Sequence, residues 1–404
     1  MKKILRLDRN IYVAGVVSLL MDISSEMIYP LMPLFLSSVL GASKELIGLI
    51  EGVAESTASI VKIFSGWLSD RVGKRKGLTA GGYGISTLSR PIVALATGWH
   101  MMLVARFLDR VGKGVRTAPR DAIIAESTEP GRYGAAFGFH RAMDTFGAVI
   151  GPATAFFMLR VFSGNFRDVF WVSMIPGALA VITIILFIKE TARPVGQQMG
   201  HVRQSAGAPR LSFRALSGRF RFFVIIAAVF SAGNSSDAFL ILRAERAGIS
   251  ASIIPLVYMM FNTIYSIVSL PAGIAADRFG RKRIILAGFV LFSGVYYGFA
   301  RFADARSVWY LFGAYGVFMG MTEGIQKAYL AEVIPAEFKA TAFGLYNMMV
   351  GLALLPASII GGWLWDNVSP AATFYYGSVT ALISAALFIV YIVIYGNDGR
   401  EKIT

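Results

Sequence analysis

Two acids four positions apart, Asp22 and Glu26, interrupt an apolar run from Ile11 to Leu40. At helical spacing they share a face. An ionisable group at bilayer depth is costly, so each one needs a partner, a water-filled cavity or a task. Two carboxyls close together in a low-dielectric cleft hold one proton more readily than two charges, and this property suits a proton carrier. The competing reading is a pair neutralised by a nearby arginine, with a structural role only. A second constellation lies further along, where Arg106, Asp109, Arg110, Lys113, Arg116, Arg120 and Asp121 crowd one segment. Asp109, Lys113, Arg116 and Arg120 follow 4-3-4 spacing, which puts them on one stripe that no lipid-facing surface could hold. An inward guanidinium is a clamp for carboxylate or phosphate, so Arg116 and Arg120 are candidates for lining a substrate cavity. Arg106 and Arg110 either take part in proton coupling or neutralise acids of the first two segments, Glu51 and Glu55 included.

The remaining chemistry is sparser. Asp144 has His140 one helical turn before it, and Gly147, Gly151 and Pro152 follow it as G-x-x-x-G-P. Glycines at that spacing let two helices approach closely in a membrane. Asn234, Asp237 and Glu323 complete the cavity candidates, with Lys327 four residues beyond Glu323 as its own partner. Of three histidines (His100, His140, His201) and no cysteine, no soft-metal site can be assembled. No nucleophile elbow, zinc-binding helix or phosphate loop occurs, so an enzyme is not expected, and no cofactor is implied.

These residues need elements to hold them. With 55% hydrophobic and 16% charged residues, a mean hydropathy of +0.61 and 404 residues, the chain belongs in a lipid bilayer. Segments long enough to cross fall near 11–40, 46–69, 77–98, 100–125, 135–160, 169–189, 221–243, 252–275, 284–301, 308–332, 339–364 and 371–395, which makes twelve spans. The net charge of +15 comes from bases gathered in alternate loops, so it reads as the positive-inside effect and not as a nucleic-acid surface. That pattern places both termini in the cytoplasm of a cell-membrane protein. Trp99, Trp171, Trp309, Trp363 and Trp365 mark the opposite ends of their helices. The polar stretch 191–220 separates two halves, residues 1–190 and 221–404.

The halves repeat one another. Gly66, Asp70, Arg71 and Gly73, followed by bases, are answered by Gly273, Asp277, Arg278 and Gly280, again followed by bases. Asp22-Ile23-Ser24-Ser25-Glu26 answers Gly233-Asn234-Ser235-Ser236-Asp237, and Glu126 with Ala136-Phe137-Gly138 answers Glu332 with Ala342-Phe343-Gly344. The doubled loop G-x-x-x-D-R-x-G-[KR]-[KR]-[KR] resembles the signature of the major facilitator superfamily of secondary transporters. That resemblance covers essentially the whole chain. It implies an all-α membrane fold of twelve transmembrane helices in two pseudo-symmetric six-helix bundles, with a substrate site at midplane and alternating access. It also implies that the loop acids Asp70 and Asp277 control conformation, that the helix-four arginine is associated with proton transfer, and that Gly147, Gly151 and Pro152 match a motif associated with antiporters. Ala153-Thr154-Ala155 departs from that motif beyond the proline. The expected function is proton-coupled efflux of a small organic compound by a monomer, with protons, substrate and the bilayer as partners. Symport, exchange or lipid flipping of an anionic substrate is the alternative, and a membrane sensor without flux a more remote one.

Overall fold

A chain with this much apolar surface buries its backbone polar groups by forming helices, because lipid offers them no partner. In the computed structural model, residues 7–72, 75–129, 132–190, 217–302, 304–334 and 339–395 are described, and among them no strand occurs. The helices are α1 (Arg9–Ile28), α2 (Met32–Leu34), α3 (Lys44–Val72), α4 (Arg75–Leu95), α5 (Trp99–Glu126), α6 (Tyr133–Val161) and α7 (Phe166–Phe187). They continue as α8 (Gly218–Gly233), α9 (Ala238–Arg246), α10 (Ile254–Phe279), α11 (Arg281–Arg301), α12 (Ala305–Val333), α13 (Lys339–Asn367) and α14 (Pro370–Tyr395). The first span is α1, α2 and a π-helical turn Phe35–Val39; the seventh is α8 and α9; every other helix is a span of its own. That gives the twelve expected. Eight of them are long and apolar enough to cross on composition alone, and α3, α4, α5 and α12, which carry the charge or the polar residues, are the others.

Two compact units form. One comprises residues 1–35 and 57–211, the other 36–56 and 212–404. In the first unit α4 packs on α5 and α7, and α1 on α6 and α7. In the second, α11 packs on α12 and α14, and α8 on α13 and α14, which repeats the same pairings. The duplication seen in the sequence is therefore a duplication of packing. The stretch 191–216, where the sequence places the linker, lies outside the described residues.

The early part of α3 is counted with the second unit because its glycines admit α13. An added Cβ at Gly52 would lie 3.0 Å from the Leu355 Cα, and one at Gly362 would lie 2.7 Å from the Glu45 Cα. The Ser56 hydroxyl donates to the Gly351 carbonyl at 2.9 Å, and the Glu45 amide to Asp366 at 3.0 Å. This is small-residue packing of the kind membrane helices use in place of a hydrophobic driving force.

The ends of the helices are built as local chemistry requires. Gly280 takes φ +96° where α10 stops and α11 begins, a conformation that costs other residues. That cost is a physical reason for the second glycine of the repeated loop. Asp304 caps α12, accepting from the Ser307 amide at 2.9 Å and its hydroxyl at 2.6 Å, and these bonds hold its carboxyl below the usual range.

Candidate functional site

The acids of α1 are set by the glycines of α6. The two helices run in the same direction and meet in register, with Gly147 against Asp22 and Gly151 against Glu26. A Cβ at either glycine would lie 2.6 Å from the Asp22 Cβ or 2.7 Å from the Glu26 Cβ, so no larger residue fits without parting the helices. The two acids and the G-x-x-x-G-P motif, separated by more than a hundred residues in sequence, thus form one seam. Asp144 enters it one turn before Gly147 and accepts a hydrogen bond from Ser18 of α1. His140 Nδ1 lies 3.6 Å from the other Asp144 oxygen. Asp144, Lys113, Arg116 and Arg120 are among the charges that act on Asp22.

The cationic stripe of α5 is largely engaged with α4. Gly82 and Gly112 bring the two backbones together, since a Cβ at Gly82 would meet the Arg116 amide nitrogen at 2.7 Å. Arg116 is 5% exposed, donates to Ser86 and lies over the Tyr83 ring at 4.6 Å. Arg120 pairs with its neighbour Asp121 at 2.8 Å. Asp109 is buried and pairs with Arg90 of α4 at 3.2 Å and with Arg106 at 3.7 Å. Arg110 is also buried, and it is among the four arginines whose charge acts on Asp109. Arg106 lies over the Tyr29 ring.

Arg90 is the residue that sequence reading missed. It is 3% exposed, and besides Asp109 it donates to Ser24 at 3.2 Å and Ser25 at 2.9 Å, tying α1, α4 and α5 together. A signal existed: Arg90 is an ionisable residue inside the third apolar segment. Tyr315 was missed as well, having no charge to draw notice.

In the second unit Asp237 lies at the break between α8 and α9 and accepts from Tyr315 at 2.7 Å. Tyr296 donates to Asn234 and to the Ser235 carbonyl, each at 3.5 Å. Glu323 accepts from Tyr265 and from Lys327, the latter at 3.1 Å. Asp237 and Glu323 thus each accept from a tyrosine, whereas Asp144 accepts from a serine and Asp109 pairs with arginines. Among the described residues no cluster of His, Asp or Glu suits a metal ion.

The repeated loops end in equivalent ion pairs. Arg281 joins Asp277 at 3.1 Å and Glu332 at 3.2 Å, 51 residues away in sequence. Arg75 joins Glu126 at 2.6 Å across the same sequence separation. The amides of Arg75 and Lys76 at the start of α4 also donate to Glu190 at 2.8 and 3.3 Å, where an acid meets the positive end of a helix. Arg71 and Arg278 are exposed, and Gly273 sits within α10. Gly73 lies outside the described residues, as does the side chain of Asp70, and Gly66 is described only as part of α3.

Comparison with known proteins bears on the whole chain. The Major Facilitator Superfamily model matches residues 14–244 and 222–402. An uncharacterized MFS-type transporter of Methanocaldococcus jannaschii is 37% identical over 389 residues, which is 95% of each chain. The multidrug resistance protein MdtH of Photorhabdus laumondii is 23% identical over 359 residues, 87% of this chain and 85% of its own. Among solved structures, a D-xylose-proton symporter superposes with a TM-score of 0.73 at 17% identity, covering 94% of this chain and 96% of its own.

Proposed function

The chain belongs to the major facilitator superfamily, a family of membrane transporters and not of enzymes, and from that premise we propose that it exports a small organic compound by proton-coupled antiport. The observation that carries this reading is the seam of α1 and α6. It sets two carboxyls one turn apart on one face, each pressed against a glycine that no bulkier residue replaces without parting the helices. The name of the Photorhabdus relative, a multidrug resistance protein, favours export over uptake.

The mechanism follows from the charges. Asp22 and Glu26 stand one turn apart on one face of α1, so the proton is assigned to the two together and not to one member. Lys113, Arg116 and Arg120 on α5 act on Asp22. A rearrangement that moves α1 relative to α5 changes that field, and with it the occupancy of the carboxyls, which loads or releases a proton. The ion pairs Arg75–Glu126 and Arg281–Glu332 at the repeated loops then bias which conformation is held. Substrate contacts are assigned to Asp109, Arg116 and Arg120 in the first unit and to Asn234, Asp237 and Glu323 in the second, and the repeated loops to the cytoplasmic side of the cell membrane, with the chain acting as a monomer.

Proteoliposomes holding a pH-sensitive dye and screened against organic cations, organic anions and lysolipids test the proposal. Substrate-evoked proton movement opposite to substrate supports antiport, and movement in the same direction replaces it with symport. The Asp22→Asn, Glu26→Gln double variant is expected to lose accumulation against a gradient while still binding substrate. Accumulation with unchanged pH dependence would place coupling elsewhere.

A further inference from the structure

The seam of α1 and α6 extends past the two acids that the proposed mechanism uses. Read from its loop end, Gly15 meets Phe139 and Met143, Ser18 meets Asp144, Asp22 meets Gly147, and Glu26 meets Gly151. His140 stands one turn before Asp144 on the same face of α6 and is 5% exposed. Its Nδ1 faces Asp144 at 3.6 Å, and its Nε2 is buried with no hydrogen-bond partner among the described residues. From His140 to Gly151 the seam rises about 16 Å at 1.5 Å per residue. A buried ring nitrogen without a partner among the described residues calls for an explanation, and a water or a proton in transit is one.

We propose that this seam is a proton relay, in which Asp144, bonded to Ser18 and flanked by His140, passes protons between Asp22 and the loop end of the first unit. The proposal rests on reading Asp22 as part of the proton carrier. The transfer balances at each step. Protonated Asp22 gives its proton to the Asp144 carboxylate, directly or through the Ser18 hydroxyl, and becomes an anion. Asp144 passes the proton to His140 Nδ1, which makes the ring a cation. The ring then releases the proton it carried on Nε2 to water, and is neutral again with the proton on Nδ1. Histidine suits this because its two nitrogens can accept and release on opposite sides.

The charges that act on the relay come from α5 and from α6 itself, and Glu26 of α1 stands one turn beyond Asp22. From α5, Arg120 and Asp121 act on His140, while Lys113, Arg116 and Arg120 act on Asp22. Arg120 also interacts with Asp144 and with Tyr83 of α4. From α6 itself, Arg141 acts on His140 and Asp144 on Asp22. The charged side chains of α7, Arg167 and Asp168, lie in its first turn, where Arg167 donates to the Ala94 and Ala96 carbonyls. The relay therefore runs between one face of α1 and one face of α6, under the cations of α5.

The test uses the full chain in lipid nanodiscs, with no substrate and with solvent protons as the probe. A pH jump is followed by time-resolved infrared absorption in the protonated-carboxyl region. The expected result is a band that titrates in the unaltered chain and is absent in Asp22→Asn. Its relaxation should slow about a hundredfold in His140→Gln and in Asp144→Asn, the low end of what a positioned proton-transfer group supplies. Ser18→Ala should slow it less, and Asp144→Glu should restore it. Ser18→Ala changes the seam least, so it decides the question if a bolder variant fails to fold. If the Asp22 band is present and relaxes at the unaltered rate in all these variants, the relay is overturned while the carrier stands. If no Asp22 band titrates at all, the carrier reading falls, and the relay with it.

Discussion

Replacing Arg90 by methionine removes the charge that ties three helices of the first unit together. The Arg90 and Asp109 side chains are 4% and 8% exposed, so solvent screens their attraction little. At 3.2 Å the attraction is about 5 kcal/mol with an effective dielectric constant of about 20. The bonds from Arg90 to Ser24 and Ser25 add about 1 kcal/mol each. Burying both ions offsets much of this, so the intact pair is worth little net, but removing one partner strands the other at a cost of about 3–5 kcal/mol. Arg106 remains 3.7 Å from Asp109, which places Arg90→Met near the lower end, about 3 kcal/mol. Asp109→Asn should cost more, because it removes the carboxylate on which Arg90, Arg106, Arg110 and Arg116 all act. Equilibrium unfolding in mixed micelles, with both single variants and the double variant, gives the coupling energy, expected to be about 2 kcal/mol. Single costs below about 1 kcal/mol, or Asp109→Asn no worse than Arg90→Met, would refute the reasoning.

Three further outcomes follow from the same geometry. Gly147→Val should separate α1 from α6 and destabilise the chain by about 1–3 kcal/mol, since its Cβ alone would come within 2.6 Å of the Asp22 Cβ; unfolding measurements showing no loss would mean the seam is looser than described. Arg281→Gln should change which side of the protein labels more readily at introduced cysteines, in a background that has none of its own, while leaving ligand affinity nearly intact. Ser307→Ala should raise the Asp304 carboxyl toward its ordinary value, read by carbon NMR. The helix cap that Asp304 provides is present above the ordinary carboxylate pKa and is lost as pH falls through the depressed one, so the variant should lose it at a higher pH.

Much of the fold was legible because lipid leaves few choices. Twelve apolar segments, alternate basic loops and a doubled loop specify helices, their number and their repetition before any contact is known. The partnership of Glu126 and Glu332 with their loops could be anticipated only as a repeat, since neither acid states which base it meets. The α1–α6 seam was half legible. The acids and the glycines each stood out by type and spacing, but their register depends on how two distant helices dock. Arg116 shows the limit most plainly. Its place on a charged stripe does not say which neighbours it meets, and Ser86 and Tyr83 become its neighbours through the close approach of Gly82 and Gly112. Arg90 went unnoticed because one charge among apolar neighbours scarcely alters a segment's average.

The aligned stretches Asp22–Glu26 and Gly233–Asp237 differ in one respect that bears on mechanics. The first is an unbroken part of α1, whereas the second runs from the last residue of α8 across the gap to α9, where the helical bonds lapse at Asn234 and resume after Asp237. A carboxyl mounted on a continuous rod can be displaced only by moving the rod, so Asp22 and Glu26 report the position of all of α1. A carboxyl at a joint is different: Asp237 can keep its bond to Tyr315 while α8 swings, or follow α8 and break it. Gene duplication thus left the chain with two copies of one part, of which the first transmits force stiffly and the second has a pivot.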